Sequence, residues 1–420
     1  MTALAQRWRT CAGFAVAFAF CAAAAAQTPA PPAQTPPPAP PPIVAGWNEG
    51  FFLQTPNGDN RLQIGVLLQT DGRFSVDDPL PITNTFVMRK ARPILTGRVA
   101  KYIDFKVVPE LAGSVVLLDG YFDIRFSPKL RLRSGKDKTP VGYELLIADA
   151  SLIFPERSVV SLLVPNRDVG FQALGDLAGG KLIYAGGIFN GNPPDGASAI
   201  ADVDNNNGKD LAGRVVWMPF RTAEAPGNTL NNFGFHLGGS TGTQSGALPS
   251  YKTSAGQTYF SFAATTTADG RRNRVTPAVF LYVKSFGGFA EYARTTQDIL
   301  TAGVPRTVTN QAWGATASYV LTGEATSDRG VRPKAPFDPS AGTWGAVQVA
   351  ARYAEITLDE DLFAAGIAAA TASQKAQQMT LDTNWFLNNY VKIYATYERF
   401  TFSGLRANEN LILFRAQLAF

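Results

Sequence analysis

The chain has 420 residues and a formal net charge of +5, with 45% hydrophobic, 17% charged and 11% aromatic residues. Plentiful glycine (39) and proline (28) between short aromatic-rich segments favour an all-β chain over a helical one. Beyond the N-terminus no run of 18 apolar residues exists, which excludes a transmembrane helix but not a β-barrel, whose strands alternate lipid-facing and lumen-facing residues.

Residues 1–26 read as a secretory signal. Arg7 and Arg9 form a basic start, an apolar stretch follows from Cys11 to about Ala22, and Ala24 to Ala26 offer an A-x-A cleavage site. Cys11 and Cys21 both lie in this segment, so the rest of the chain has no disulfide scaffold and no thiolate metal site. Removing Arg7 and Arg9 from 38 Lys/Arg leaves 36 against 33 Asp/Glu, or +3, too weak a balance for nucleic-acid binding. Residues 28–42 hold nine prolines in fifteen, which favours extended polyproline II. Residues 27–45 are therefore expected to form a periplasmic spacer, and 46–420 the folded domain.

Strand signals begin at Arg61 (RLQIGVLLQT). They continue over Phe86–Val99, Tyr102–Glu110, Val115–Phe126 and Lys129–Lys136, stop over Asp137–Asp168, and resume over Val169–Leu177, Lys181–Phe189, Asp210–Pro219 and Asn231–Thr241. Further segments are Gln257–Thr267, Arg274–Lys284, Gly288–Gln297, Thr309–Leu321, Thr343–Ile356, Met379–Leu387, Val391–Phe402 and Leu411–Phe420, 17 in all. Closed bacterial single-chain barrels use even numbers, so one segment is in excess and 16 strands are expected. Connections alternate between short (Ser127-Pro128, Gly179-Gly180, Ser285–Gly287, Asn388–Tyr390) and long (Asn190–Lys209, Gly242–Gly256, Leu358–Gln378, Ser403–Asn410), as periplasmic turns and outer loops do. Thr322–Gly342 is long and fits this alternation least. DVDNNNGKD within Asn190–Lys209 has the composition of a calcium loop but lacks its closing Glu and flanking helices, so no metal or cofactor is expected. In the last strand Ile412, Phe414, Ala416, Leu418 and Phe420 fall on one face and Arg415 and Gln417 on the other, the first set suited to lipid and the second to a lumen. The expected fold is an all-β, transmembrane antiparallel β-barrel of about 16 strands, with a long loop folded into the lumen.

Charge is concentrated early. Residues 86–138 hold 12 Lys/Arg against 5 Asp/Glu, or +7, whereas the whole chain is +5, so the remainder sums to −2. Charge at bilayer depth must face protein or water. Parity then turns Lys90, Arg92, Arg98, Lys106, Arg125, Lys129, Arg131 and Arg133 toward a wet lumen, with the acids Asp104, Glu110, Asp119 and Asp123. Arg89 breaks the parity, as a residue at a bulge, a rim or a subunit interface would. Rings of Arg and Lys select anions by electrostatic focusing. The bland alternative is that these charges only keep the channel wet and pair with one another. After Lys136 and Lys138 about 28 residues lack alternation, and a segment of this kind can fold inward and narrow the pore.

MRKARPILTGRV, DFKVVPEL, LDGYFDI and GKDKTP, taken in order with the blocks downstream of them, resemble the phosphate-selective porin O and P family of trimeric sixteen-stranded outer-membrane channels. MRKARPILTGRV resembles its basic strand, and DFKVVPEL, LDGYFDI and GKDKTP with Glu144 resemble its next blocks. ERS at 156–158, VPNRDVGF at 165–171, GGIFNG at 186–191, LTGE at 321–324, GAVQVAARY at 345–353, NWFLN at 384–388 and the ending from Glu409 follow in order. The resemblance implies an outer-membrane homotrimer in contact with lipid, with phosphate or related anions as solutes. It matches the family's paired basics to Arg89 and Lys90, its aspartate to Asp119 and its loop lysine to Lys138. With Arg92, Arg131, Arg133 and Lys136 these form the expected anion-binding set. Lys90 replaces an arginine, Pro93 sits inside the strand and Lys-Asp-Lys occupies 136–138, which puts phosphate preference in question. A general porin, or one for pyrophosphate, sulfate or carboxylates, is the alternative. A barrel enzyme is disfavoured, since the one histidine, His236, lies in a strand. A structural or adhesive barrel would not need the basic cluster.

Overall fold

The computed structural model describes residues 43–76, 82–113, 115–191, 204, 206–222 and 229–420. The expected signal, nearly all of the spacer and most of Asn190–Lys209 lie outside these residues. Sixteen strands form the barrel: β1 Arg61–Ser75, β2 Thr85–Val99, β3 Ile103–Glu110, β4 Val116–Ser127, β5 Leu130–Lys138, β6 Arg167–Leu177, β7 Leu182–Phe189 and β8 Asp210–Trp217, then β9 Phe233–Gly246, β10 Thr266–Val283, β11 Phe286–Thr301, β12 Val304–Val320, β13 Ala346–Thr357, β14 Lys375–Phe386, β15 Val391–Phe402 and β16 Glu409–Ala419. Each pairs antiparallel with the next, and β16 returns to β1, from Leu411 opposite Ser75 to Ala419 opposite Leu67. Closure leaves none of the sixteen barrel strands as an edge strand.

The period of two runs through the wall. In β10, Arg272, Arg274, Thr276, Ala278, Phe280 and Tyr282 turn inward and are buried, while Val275 and Val279 are exposed outside. In β16, Arg415 and Gln417 are buried and Phe414 is exposed. Phe126, Trp217, Phe235, Phe286 and Tyr319 stand on the outer surface near the end of the barrel that carries the short turns. Aromatic rings of this kind sit where a bilayer meets water.

The excess predicted strand is Gln257–Thr267. Its first part, Thr258–Phe260, pairs with Tyr251–Lys252 in a separate two-stranded ladder, and Thr266 opens β10. The cause is that Tyr259 and Phe260 do not face lipid; they are buried in an apolar cluster with Leu358, Leu362 and Ile367. Aromatic β-rich sequence marks a capping core as readily as a wall.

The turns 100–102, 128–129, 178–181, 284–285 and 387–390 share one end with the hairpin Val44–Trp47/Phe51–Gln54 and with Phe420. That hairpin pairs onto Arg61–Ile64 of β1, and Phe420 hydrogen-bonds Val66 just beyond it. Gly65 permits this junction, because a Cβ there would stand 2.4 Å from the Phe420 carbonyl oxygen. The connection 321–345 lies at this end too, so loop length does not alternate strictly. It carries a small ladder, Thr326–Ser327 with Gly330–Val331, and Arg332 in it pairs with Glu49 of the hairpin.

Candidate functional site

The connection 139–166 leaves β5 and turns into the barrel. Its carbonyl groups, with no sheet partner, are taken up by inward side chains around the wall, as buried polar backbone requires. The Val141 carbonyl accepts from Thr276 (2.8 Å) and is 2.7 Å from His236 Nε2. The backbone N–H groups of Tyr143 and Glu144 donate to Glu291 at 2.7 and 3.0 Å. Leu152 accepts from Lys392 (2.7 Å), Ile153 from Asn384 (2.9 Å) and Ala150 from Gln417 (2.9 Å), while Arg415 donates to the Pro155 carbonyl. The 3-10 turn Val159–Leu163 then packs against Ala293, Ala312, Ala354 and Ile356. That apolar cluster packs the loop against β11, β12 and β13. His236, the one candidate general base, is thus an anchor for the loop.

Gly238 on β9 lies close against the loop; a Cβ there would stand 2.0 Å from the Val141 carbonyl oxygen. Gly238→Val is expected to push the loop off the wall and cost about 1–3 kcal/mol, as overpacking does. The check is single-channel conductance, which should rise as the loop is displaced, together with an unfolding titration. An unchanged channel would mean that the loop is not seated there.

The basic wall carries a bulge. Lys90 lies opposite Gln69 and Met88 opposite Thr70, so Arg89 is the extra residue. This accounts for the broken parity, since Arg89 and Lys90 both reach carboxylates of the inward loop. Arg89 grips Glu156 through two nitrogens (2.7 and 3.0 Å), and Lys90 lies 3.1 Å from Asp149. Arg92 donates to Glu110 at 2.6 Å and to Asp149. Arg157 of the loop donates to Asp149 at 2.6 Å, and Lys138 lies 3.9 Å from it. Burial would raise the Asp149 carboxyl, but Lys90, Arg157, Lys138 and Arg92 hold it well below the usual carboxylate range. Burial likewise opposes ionisation of Glu156, and Arg89 and Arg415 overcome it. Their cation partners thus favour the ionised form of both Asp149 and Glu156.

Two chambers remain. The inner one, toward the short-turn end, has a cavity volume of about 580 Å³ and is lined by Arg92, Lys106, Asp119, Tyr121, Lys138, Arg167, Arg214, Arg329, Arg332 and Lys392, among others. The outer one, of about 240 Å³, is lined by Arg89, Lys90, Arg92, Asp149, Glu156, Arg157, Arg167 and Lys252. They share Arg92, Asp149 and Arg167 as lining residues, and this junction is termed the waist. Among the residues lining them, cations outnumber carboxylates in both chambers, eight to four and six to two.

Of the predicted residues, the structure brings Lys90, Arg92, Asp119 and Lys138 to the chambers around the waist and Arg89 to the outer chamber. Asp119 accepts from Arg167 at 2.6 Å and from Lys106 at 2.9 Å. Arg131, Arg133 and Lys136 line neither chamber. Arg133 stacks on Tyr121 with 3.8 Å to the ring centre and grips Asp123, Arg131 lies 4.0 Å from Asp123, and Lys136 is buried opposite Gly120. Sequence reasoning missed Asp149, Glu156, Arg157, Arg167, Arg214, Arg329 and Arg332. Arg214 alone had a usable signal, a cation inside the apolar strand LAGRVVW. The others sit on the loop, at its exit or on the 321–345 connection, where no alternation assigns a face.

A sequence model of the family described as phosphate-selective porin O and P matches residues 63–420. Among solved structures the chain is similar to the outer membrane channel DcaP of Acinetobacter baumannii, at 11% identity and a TM-score of 0.54, over 90% of this chain and 100% of that one. It is similar to an anion-selective porin from Comamonas acidovorans at 12% identity and a TM-score of 0.53, over 86% of this chain and 100% of that one. It also resembles in-vitro folded OmpT of Vibrio cholerae, trimer form, at 11% identity and a TM-score of 0.54, over 86% and 99% of the two chains. At these identities the likeness is one of fold. A search of curated proteins found no matching relative.

Proposed function

We propose that this chain, which belongs to the phosphate-selective porin O and P family, lets phosphate or related small anions diffuse passively across the outer membrane. The observation that carries this reading is the waist, where two chambers with a cation excess meet at Arg92, Asp149 and Arg167. An anion entering the outer chamber meets Arg89, Lys90 and Arg157, passes Arg92 and Arg167, and leaves past Lys106, Lys138, Arg329 and Arg332. Arginine offers a planar fork to the oxygens of an oxyanion and lysine a point charge, so the path suits small oxyanions. Lys90, Arg92, Lys138 and Asp119 are the contact residues of this reading. Arg131, Arg133 and Lys136 act from the wall. Delivery by a cleaved signal over residues 1–26, a spacer over 27–45 and assembly as a homotrimer complete it.

One observation favours a second reading, a general small-anion porin: the waist cations are already paired with Asp149, Asp119 or Glu110. Phosphate titration of the chloride current through single channels separates the two. Block at low phosphate supports a phosphate site. Anion-selective current that phosphate leaves unchanged supports the general porin.

A further inference from the structure

Asp149 is unlike the other lumen carboxylates. It stands on the inward loop, not the wall, in the 3-10 turn Asp149–Ser151, and four cations from three places surround it. One oxygen takes Lys90 Nζ at 3.1 Å and Arg92; the other takes Arg157 at 2.6 Å and faces Lys138 Nζ at 3.9 Å. Asp119 has two cation partners, both on the wall strands. Glu156 has three, Arg73, Arg89 and Arg415, but it borders only the outer chamber. Asp149 alone borders both chambers and touches cations from β2, from the end of β5 and from the loop itself.

We infer that the Asp149 carboxylate is a tethered competitor, occupying the position that a permeating anion takes at the waist. Its two oxygens each collect two cations, as two oxygens of a passing oxyanion would. An anion advances only by exchanging with this carboxylate. Because the loop holds this carboxylate beside the cations, it competes intramolecularly, so dilute anions compete poorly and concentrated ones displace it. The waist would then hold anions weakly enough to release them, which conduction requires. If Asp149 instead only organised the cations, removing its charge would weaken anion binding.

This inference rests on the anion-channel reading, and one experiment separates the two. Single-channel conductance is recorded against chloride concentration for the full chain and for Asp149→Asn, Asp149→Ser and Asp104→Asn. The last removes the same charge from Arg98 and Arg125, away from the waist. The expected result is that half-maximal conductance in both Asp149 variants is reached at a chloride concentration at least tenfold lower than in the parent, with Asp104→Asn close to the parent. An unchanged or higher half-maximal concentration in an anion-selective parent overturns the inference and leaves the channel reading standing. An equal fall in Asp104→Asn overturns it too, since the effect would then be general lumen charge. Failure of both Asp149 variants to form channels would make Asp149 a structural counter-ion and equally overturn it. A parent without anion selectivity removes the reading beneath it.

Discussion

Arg415→Met is expected to weaken the folded barrel by about 3–5 kcal/mol, the cost of breaking a buried ion pair by removing one partner. Its side chain is fully buried and grips Asp71 through two nitrogens at 2.6 and 2.8 Å. The same guanidinium reaches Glu156 at 2.9 Å and the Pro155 carbonyl. Methionine fills much of the volume but leaves Asp71 with Arg73 alone among these cations and frees the loop around Pro155. Two readouts follow. The unfolding midpoint in denaturant should fall, and the single-channel conductance should rise and become noisier as that part of the loop moves. A barrel with unchanged stability would show that Arg415 is dispensable to the loop's seat.

The second large effect is expected from Lys90→Met combined with Arg92→Met. Together they remove two of the four cations around Asp149 and leave Glu110 without its arginine. Two unit charges 4 Å apart interact by about 4 kcal/mol at an effective dielectric constant of 20. A tenfold change in selectivity needs only about 1.4 kcal/mol. Even after solvent discounts most of the first figure, the reversal potential in a chloride gradient should collapse toward zero or change sign. Arg131→Met, which removes a cation off both chambers, should leave the reversal potential nearly unchanged. Equal effects of the two variants would mean that total charge, and not the waist, sets selectivity.

The wall was legible because its code is local. Alternation separates lipid from lumen one residue at a time, and it assigned Arg92, Lys106, Asp119 and Arg415 to the inside. It failed where another structure uses the same code, at Gln257–Thr267, whose aromatics form a cap. It failed differently at Arg89, where one extra residue shifts the frame so that two consecutive basics point inward. The loop was legible as a break in pattern and not as a path. Its course depends on His236, Glu291, Asn384, Lys392 and Arg415, which lie 95 or more residues from the loop atoms they meet. Asp149 and Glu156 acquire their meaning only when that path is closed. The 321–345 connection resisted reading for the same reason: its arginines matter because the fold carries them beneath the lumen.

The measurement that bears most directly on the account is the reversal potential of the unmodified channel in a planar bilayer under a potassium chloride gradient. A potential of the sign set by chloride is expected, reflecting the excess of Lys and Arg along both chambers. A potential of the sign set by potassium would contradict it. The carboxylates Asp119, Asp149 and Glu156 would then dominate the field that ions meet, and the basic wall would be neutralised scaffolding.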